Sequence, residues 1–161
     1  HYGVSHRNLS FDFTEQLLQV NDPAIGQWLE TMERMKIKIG LDDFGAGHSS
    51  LAQLKEFNIR QIKISRSLVG AVRSDCHARA MVKSVVDIGR NMMLPVTATG
   101  VEDANTLATL HSMGCNRVQG FHLACPDLPQ RIKDFAARLV EVEDIPHQRR
   151  QPDTTTALAF V

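Results

Sequence analysis

Three features are scarce in this chain, and each scarcity removes a class of function. Among 161 residues the cysteines are only Cys76, Cys115 and Cys125. An odd number without CxxC spacing is neither a disulfide framework nor a zinc signature. Reduced, incidental thiols are expected, as in a cytosolic protein. An excess of one charge is also missing. Lys plus Arg number 18 and Asp plus Glu number 18. A neutral chain has no bulk attraction to duplex nucleic acid or to an anionic membrane. Any phosphate-bearing ligand must be held locally, by a metal, a lysine or backbone N–H groups. Long apolar runs are absent as well, so no segment reads as a membrane span, and no signal peptide is visible. The chain opens on His1 rather than Met, which predicts a piece of a longer protein. The expected location is cytoplasmic, with any membrane anchor elsewhere in the parent.

The rest is ordinary globular material, 43% hydrophobic and 22% charged. Residues 8–14 alternate Leu9, Phe11 and Phe13 with polar residues, the period of a strand. Asp22-Pro23 then offers an N-cap and a proline for the first helical position. Ile25, Trp28, Leu29 and Met32 follow at helical spacing. Residues 23–34 therefore read as an amphipathic helix with Trp28 as a core anchor. The same logic predicts strands at 36–41, 60–64, 93–98 and 116–121. It predicts helices at 49–57, 77–90 and 103–113, the last closed by Gly114. A final helix is expected over 128–142, with Ile132, Phe135, Ala136 and Leu139 inward. The expected organisation is one domain over 1–143 and a disordered tail over 144–161. Five β-then-α units argue for an α/β protein with a parallel sheet. An open doubly wound sheet and part of a barrel both satisfy the pattern. A full (β/α)8 barrel needs about 250 residues, so periodicity alone favours the open sheet.

Polar residues and glycines collect at the C-terminal ends of the predicted strands. They are Asp12 and Glu15, Asp42 and Asp43, Lys63 and Ser65, Thr99 and Gly100, and Gln119 and Gly120. In parallel α/β folds that end carries the site. The adjacent carboxylates of Asp42 and Asp43 repel unless a cation neutralises them. Mg2+ and Mn2+ prefer such oxygen ligands, and two ions about 3.5–4 Å apart would clamp a phosphodiester. A helix cap beside a solvated acid accounts for the pair equally well. The stretch Gly45 to Ser50 reads as a turn feeding a helix, with N–H groups available to an anion. Lys63 lies in the apolar run IKIS, where it meets either a polar cavity or solvent on a half-exposed strand. Gln119-Gly120 is either a ligand contact or a strand-end turn. His48, His77, His111 and His122 lack metal-ligand spacing and read as structural or surface residues.

These segments also resemble one family. DFTE (Asp12 to Glu15) resembles the E-(I/L)-T-E motif of EAL phosphodiesterase domains. LDDFGAGHSSL (Leu41 to Leu51) is similar to their LDDFGtGySSL, and IKISRSLV (Ile62 to Val69) to LKIDrsfv. ATGVED (Ala98 to Asp103) resembles AEGVEt, and GCNRVQGFHLACP (Gly114 to Pro126) resembles GcdyvQGylfsrP. Order and spacing match over about 9–140. The resemblance implies the C-terminal five βα units of a TIM-like (β/α)8 barrel, overruling the open sheet. It implies a family that hydrolyses cyclic di-GMP to pGpG with two Mg2+ or Mn2+ ions. Carried over by position, Asp12, Asp42 and Asp43 would bind metal and Glu15 would organise an active-site loop. Lys63 would lie near the attacking water, Glu102 would keep the second Glu of EGVE, and Gln119 with Gly120 would contact nucleotide.

Three positions depart from the family pattern. Asp12 is one methylene shorter than the family Glu. Ser65 replaces the aspartate of KxD. Thr99 replaces a Glu that is a ligand or general base, and a neutral threonine does not take a proton from water near neutral pH. The EAL signature itself and a later Asn ligand would lie before His1. The expected function is a degenerate EAL domain, a cyclic di-GMP receptor or regulatory module that is weakly active or inactive, with Mg2+ or Mn2+ or with no bound metal. The alternatives are an active phosphodiesterase making pGpG and an interaction scaffold that binds no nucleotide. Expected partners are cyclic di-GMP and the rest of the parent chain, with GGDEF, PAS or receiver domains or a homodimer as further expectations. Five strands of a barrel leave open edges, so stability is expected only beside the missing half, a partner or a second copy.

Overall fold

The computed structural model describes residues 5–18, 22–45, 54 and 57–134. Period-two alternation produces five strands: β1 (Ser10–Thr14), β2 (Lys38–Phe44), β3 (Gln61–Ile64), β4 (Val96–Thr99) and β5 (Arg117–Gln119). All neighbours are parallel, in the order β1-β2-β3-β4-β5. A doubly wound sheet reverses its strand order at a switch point. This sheet does not reverse, which is how consecutive units of a barrel are arranged. The fold is α/β, with a five-stranded parallel sheet ordered as in part of a TIM-like barrel.

The helices follow local chemistry. They are α1 (Glu15–Leu18), α2 (Pro23–Arg34), α3 (Arg66–Ala71), α4 (Cys76–Met92) and α5 (Ala104–Ser112). Asp22 accepts the Ala24 N–H at 2.8 Å, and Pro23 takes the position where no N–H is needed. Asp75 caps α4 through His77, and Asp103 caps α5 through Asn105 and Thr106. Hydrogen bonds from Thr106 hold the Asp103 carboxyl below its ordinary range. Gly114 follows α5 with φ at 84°, the left-handed position that suits a residue without Cβ. None of the helices among the described residues is long and apolar enough to cross a membrane.

Alternate strand residues enter one core shared with the helices. Ile39, Leu41, Ile62, Ile64, Val96, Ala98 and Val118 meet Leu29 of α2, Val69 of α3, Val82, Val85 and Val86 of α4, and Leu110 of α5. Ile62 and Ile64 are fully buried. Burial of each side chain contributes about 1.5–3 kcal/mol before entropy is counted. Leu54 is buried in the same core. Most of the predicted helix 49–57 and of Gly45 to Ser50 lies outside the described residues, as do Phe135 to Val142 and the tail 144–161.

Several sequence expectations are corrected. Trp28 is 39% exposed rather than a core anchor. It stacks edge-on against Phe13 and Phe11, with ring centroids 5.1 and 6.0 Å away. Leu29, the next residue, is the one that reaches the core. The cluster stands at β1, the edge of the sheet among the described residues. Ile132 is 47% exposed rather than inward, and Leu128 at the start of the same segment is exposed as well. Strand β4 starts at Val96 and not Met93, because Met93 is the left-handed cap of α4. Ser65 starts α3, a six-residue helix too short to show a period.

The core makes one thiol inert. Cys115 is buried, and burial pushes its thiol up, while Cys76 and Cys125 are exposed. A thiolate is the reactive species. In a thiol titration at mildly alkaline pH, Cys76 and Cys125 react promptly and Cys115 reacts only on unfolding. Prompt reaction of all three would contradict this packing.

Candidate functional site

The strand residues that do not enter the core form the opposite face of the sheet. They are Ser10, Asp12 and Thr14 on β1, Lys38, Gly40 and Asp42 on β2, Gln61 and Lys63 on β3, Thr97 and Thr99 on β4, and Arg117 and Gln119 on β5. Apart from Gly40 all carry a polar side chain. Register aligns them in rows: Asp12 with Gly40 with Gln61, Thr14 with Asp42, Lys63 with Thr97 with Arg117, and Thr99 with Gln119. In a closed barrel this face looks inward.

Lys63 is the centre of that face. It is only 6% exposed, between Ile62 and Ile64. Its Nζ lies 2.8 Å from Asp12 Oδ2. A buried cation without a counter-charge is strongly unfavourable, and Asp12 provides one from two strands away. The other Asp12 oxygen, Oδ1, accepts Gln61 Nε2 at 2.6 Å. Gln61 Nε2 also lies 3.3 Å from Ser10 Oγ. Gly40 lies between these strands, and a Cβ there would come within 1.9 Å of Asp12 Oδ1 and 2.7 Å of Gln61 Cγ. The glycine is the gap into which the carboxylate fits.

Asp42 and Asp43 owe their position to a bulge. Leu41 pairs with Ile62 and Phe44 with Ile64. Two residues of β2 thus stand opposite one residue of β3, Lys63. Such a bulge re-aims side chains next to a site. Asp43 takes a left-handed φ of 54°, which Asp tolerates better than most residues. The Asp42 carboxylate accepts the Asp43 N–H at 2.9 Å. Asp42 is half-buried and Asp43 exposed.

The remaining candidates lie toward the rim. Thr99 Oγ1 donates to the Ile64 carbonyl at 2.7 Å. Ser65, almost fully buried, is the N-cap of α3, with its Oγ 3.4 Å from the Leu68 N–H and 3.1 Å from Ser67 Oγ. Glu102 is exposed and ion-paired with Arg66. Gly120 lies against the backbone of Val101, which a Cβ would meet at 2.1 Å. The Oε1 of Gln119 is buried and has no hydrogen-bond partner among the described residues. Glu15 begins α1, and its side chain lies outside the described residues.

Lys63 and Asp12 are thus brought into contact, with Asp42 and Asp43 beside them, while Glu102 stays in a surface pair. Gln61 and Gly40 were not among the sequence candidates. A signal existed for both: an isolated glycine inside a strand pattern marks a bulge or close approach, and Gln61 shares a face with Lys63. No three His, Cys, Asp or Glu side chains among the described residues converge to hold a metal ion. Both oxygens of Asp12 are engaged already. The described donors on their own do not fit a two-cation centre. They do form a polar cradle with a lysine, two carboxylates at its rim and an acceptor oxygen to spare.

Comparison with known proteins gives this face its context. The EAL domain family matches residues 1–126. The bifunctional diguanylate cyclase/cyclic di-GMP phosphodiesterase MucR of Pseudomonas aeruginosa is 38% identical over 125 residues, covering 78% of this chain and 18% of that protein. The structure of PaMucR phosphodiesterase in complex with c-di-GMP superposes with a TM-score of 0.74 at 32% identity, over 80% of this chain and 52% of that one. A manganese and c-di-GMP complex of Klebsiella pneumoniae BlrP1 gives a TM-score of 0.69 at 29% identity, over 74% of this chain and 30% of that one. The chain spans about a fifth of the length of such curated relatives, 17% to 23% for three of them.

The Gly40 gap is testable. Gly40→Ala drives a methyl into the Asp12 carboxylate and is expected to cost about 1–3 kcal/mol, the usual cost of overpacking. Urea denaturation of the full-length protein measures it. An unchanged midpoint would contradict the close approach.

Proposed function

Because this chain belongs to the EAL domain family, we propose that it is a degenerate, cyclic di-GMP-binding regulatory module whose hydrolytic activity is weak or absent. The observation that carries this reading is Thr99. Phosphodiester hydrolysis needs a group that takes a proton from the attacking water. At the position where the family motif has Glu, this chain has a neutral hydroxyl whose hydrogen is directed at the Ile64 carbonyl. Ser65 supports the same reading, because its hydroxyl caps α3 where the family motif has a carboxylate. Divalent ions would supply charge stabilisation in an active relative. In this chain Lys63 places one cation on the polar face, and Asp42 and Asp43 set the charge of its rim.

Binding has its own support. The unpartnered Gln119 Oε1 is an acceptor of the kind that a guanine N–H satisfies. Lys63 and the polar rows beside it suit a ligand that carries both phosphates and hydrogen-bonding bases. The retained Asp42, Asp43 and Lys63 favour a second reading, an active phosphodiesterase producing pGpG, and one experiment separates the two.

Full-length protein is titrated with cyclic di-GMP by calorimetry, and pGpG is followed by chromatography with Mg2+ or Mn2+ present. Binding heat is expected with little pGpG. The double variant Ser65→Asp/Thr99→Glu is expected to raise turnover about 10²-fold or more, the usual scale of acid–base catalysis. Wild-type turnover equal to that of the double variant would overturn the degenerate reading. No heat at high micromolar nucleotide would overturn binding.

A further inference from the structure

We propose that Asp12 is a positioning residue, the counter-ion that fixes Lys63 for the nucleotide, and that it does not ligate metal. This deepens the reading above and rests on the polar face being the nucleotide face. Lys63 has little access to water, and the one acid within ion-pair distance of its Nζ among the described residues is Asp12, at 2.8 Å. The second Asp12 oxygen is held by Gln61 at 2.6 Å. Ligating a divalent cation there would bring a double positive charge against the Lys63 ammonium, which already neutralises this carboxylate. The gap at Gly40 seats the short carboxylate where it stands, with no room for a Cβ. Three positions on three strands thus agree on one geometry. Gln61 orients Asp12, and Gly40 makes space for it. The neutralisation that the family resemblance assigns to a metal at this position is supplied by the chain's own lysine.

The test uses the full-length protein, Mn2+ as the probe and three variants: Asp12→Asn, Lys63→Met and the double Asp12→Asn/Lys63→Met. Mn2+ affinity is read by EPR titration. It is expected to stay within about twofold of wild type in Asp12→Asn, whereas loss of a true ligand costs about tenfold or more. A drop of that size overturns the proposal. The thermal midpoint is expected to fall in Asp12→Asn, which strands a buried cation, and to recover in the double variant, which removes it. Additive losses overturn the pairing. If Asp12→Asn does not fold, the double variant carries the Mn2+ comparison instead. The double variant is expected to bind cyclic di-GMP about tenfold more weakly although its midpoint recovers, because Lys63 is gone. Full recovery of affinity would make the pair merely structural and overturn the positioning role. Absence of any cyclic di-GMP binding by the wild type would instead overturn the functional reading, and the Mn2+ and thermal results would still decide the role of Asp12.

Discussion

Lys63 stands between two fully buried isoleucines, and removing its ammonium from water is costly unless an opposite charge meets it. Asp12 is that charge. Much of the polar face is arranged around this contact. Asp12 can reach Lys63 because Gly40 on the intervening strand has no side chain. It holds its orientation because Gln61 donates to its other oxygen. The bulge in β2 sets Asp42 and Asp43 opposite the same lysine.

That face exists because the sheet divides its residues so completely. The apolar alternate residues of β1 to β5 go to the helices and the polar ones to the other side. A soluble antiparallel sheet often does this with water as the second neighbour, but a parallel sheet is normally covered on both faces. A parallel sheet with one polar face is explained when that face lines a barrel, with its polar rows satisfied across the interior. The alignment with about half of the PaMucR phosphodiesterase structure fits that geometry. So do the exposed Phe11 and Trp28 beside edge strand β1.

The sequence made much of the fold legible where local chemistry was decisive. Helix α2 was readable to its ends because Asp22-Pro23 is an unambiguous start and Leu29 and Met32 keep the period. The five strands were readable from alternation, with errors at their ends. Met93 was misread because an apolar residue in a left-handed helix cap looks like the start of a strand. Trp28 and Ile132 were misread because periodicity identifies the apolar stripe of a helix but not whether anything lies over it. In the site, the strand-end polar residues stood out together, but their partners did not. The Asp12–Lys63 pair joins residues on β1 and β3, and the bulge is a property of two strands. Neither is a pattern along one segment.

Manganese-edge anomalous diffraction from crystals of the full-length protein grown with Mn2+ and cyclic di-GMP tests the account most directly. The account predicts nucleotide on the polar face with its phosphates toward Lys63. It also predicts Asp12 still in contact with Lys63 and Gln61, and no manganese peak within coordination distance of Asp12. A manganese ion ligated by Asp12, with Lys63 turned away, would contradict it.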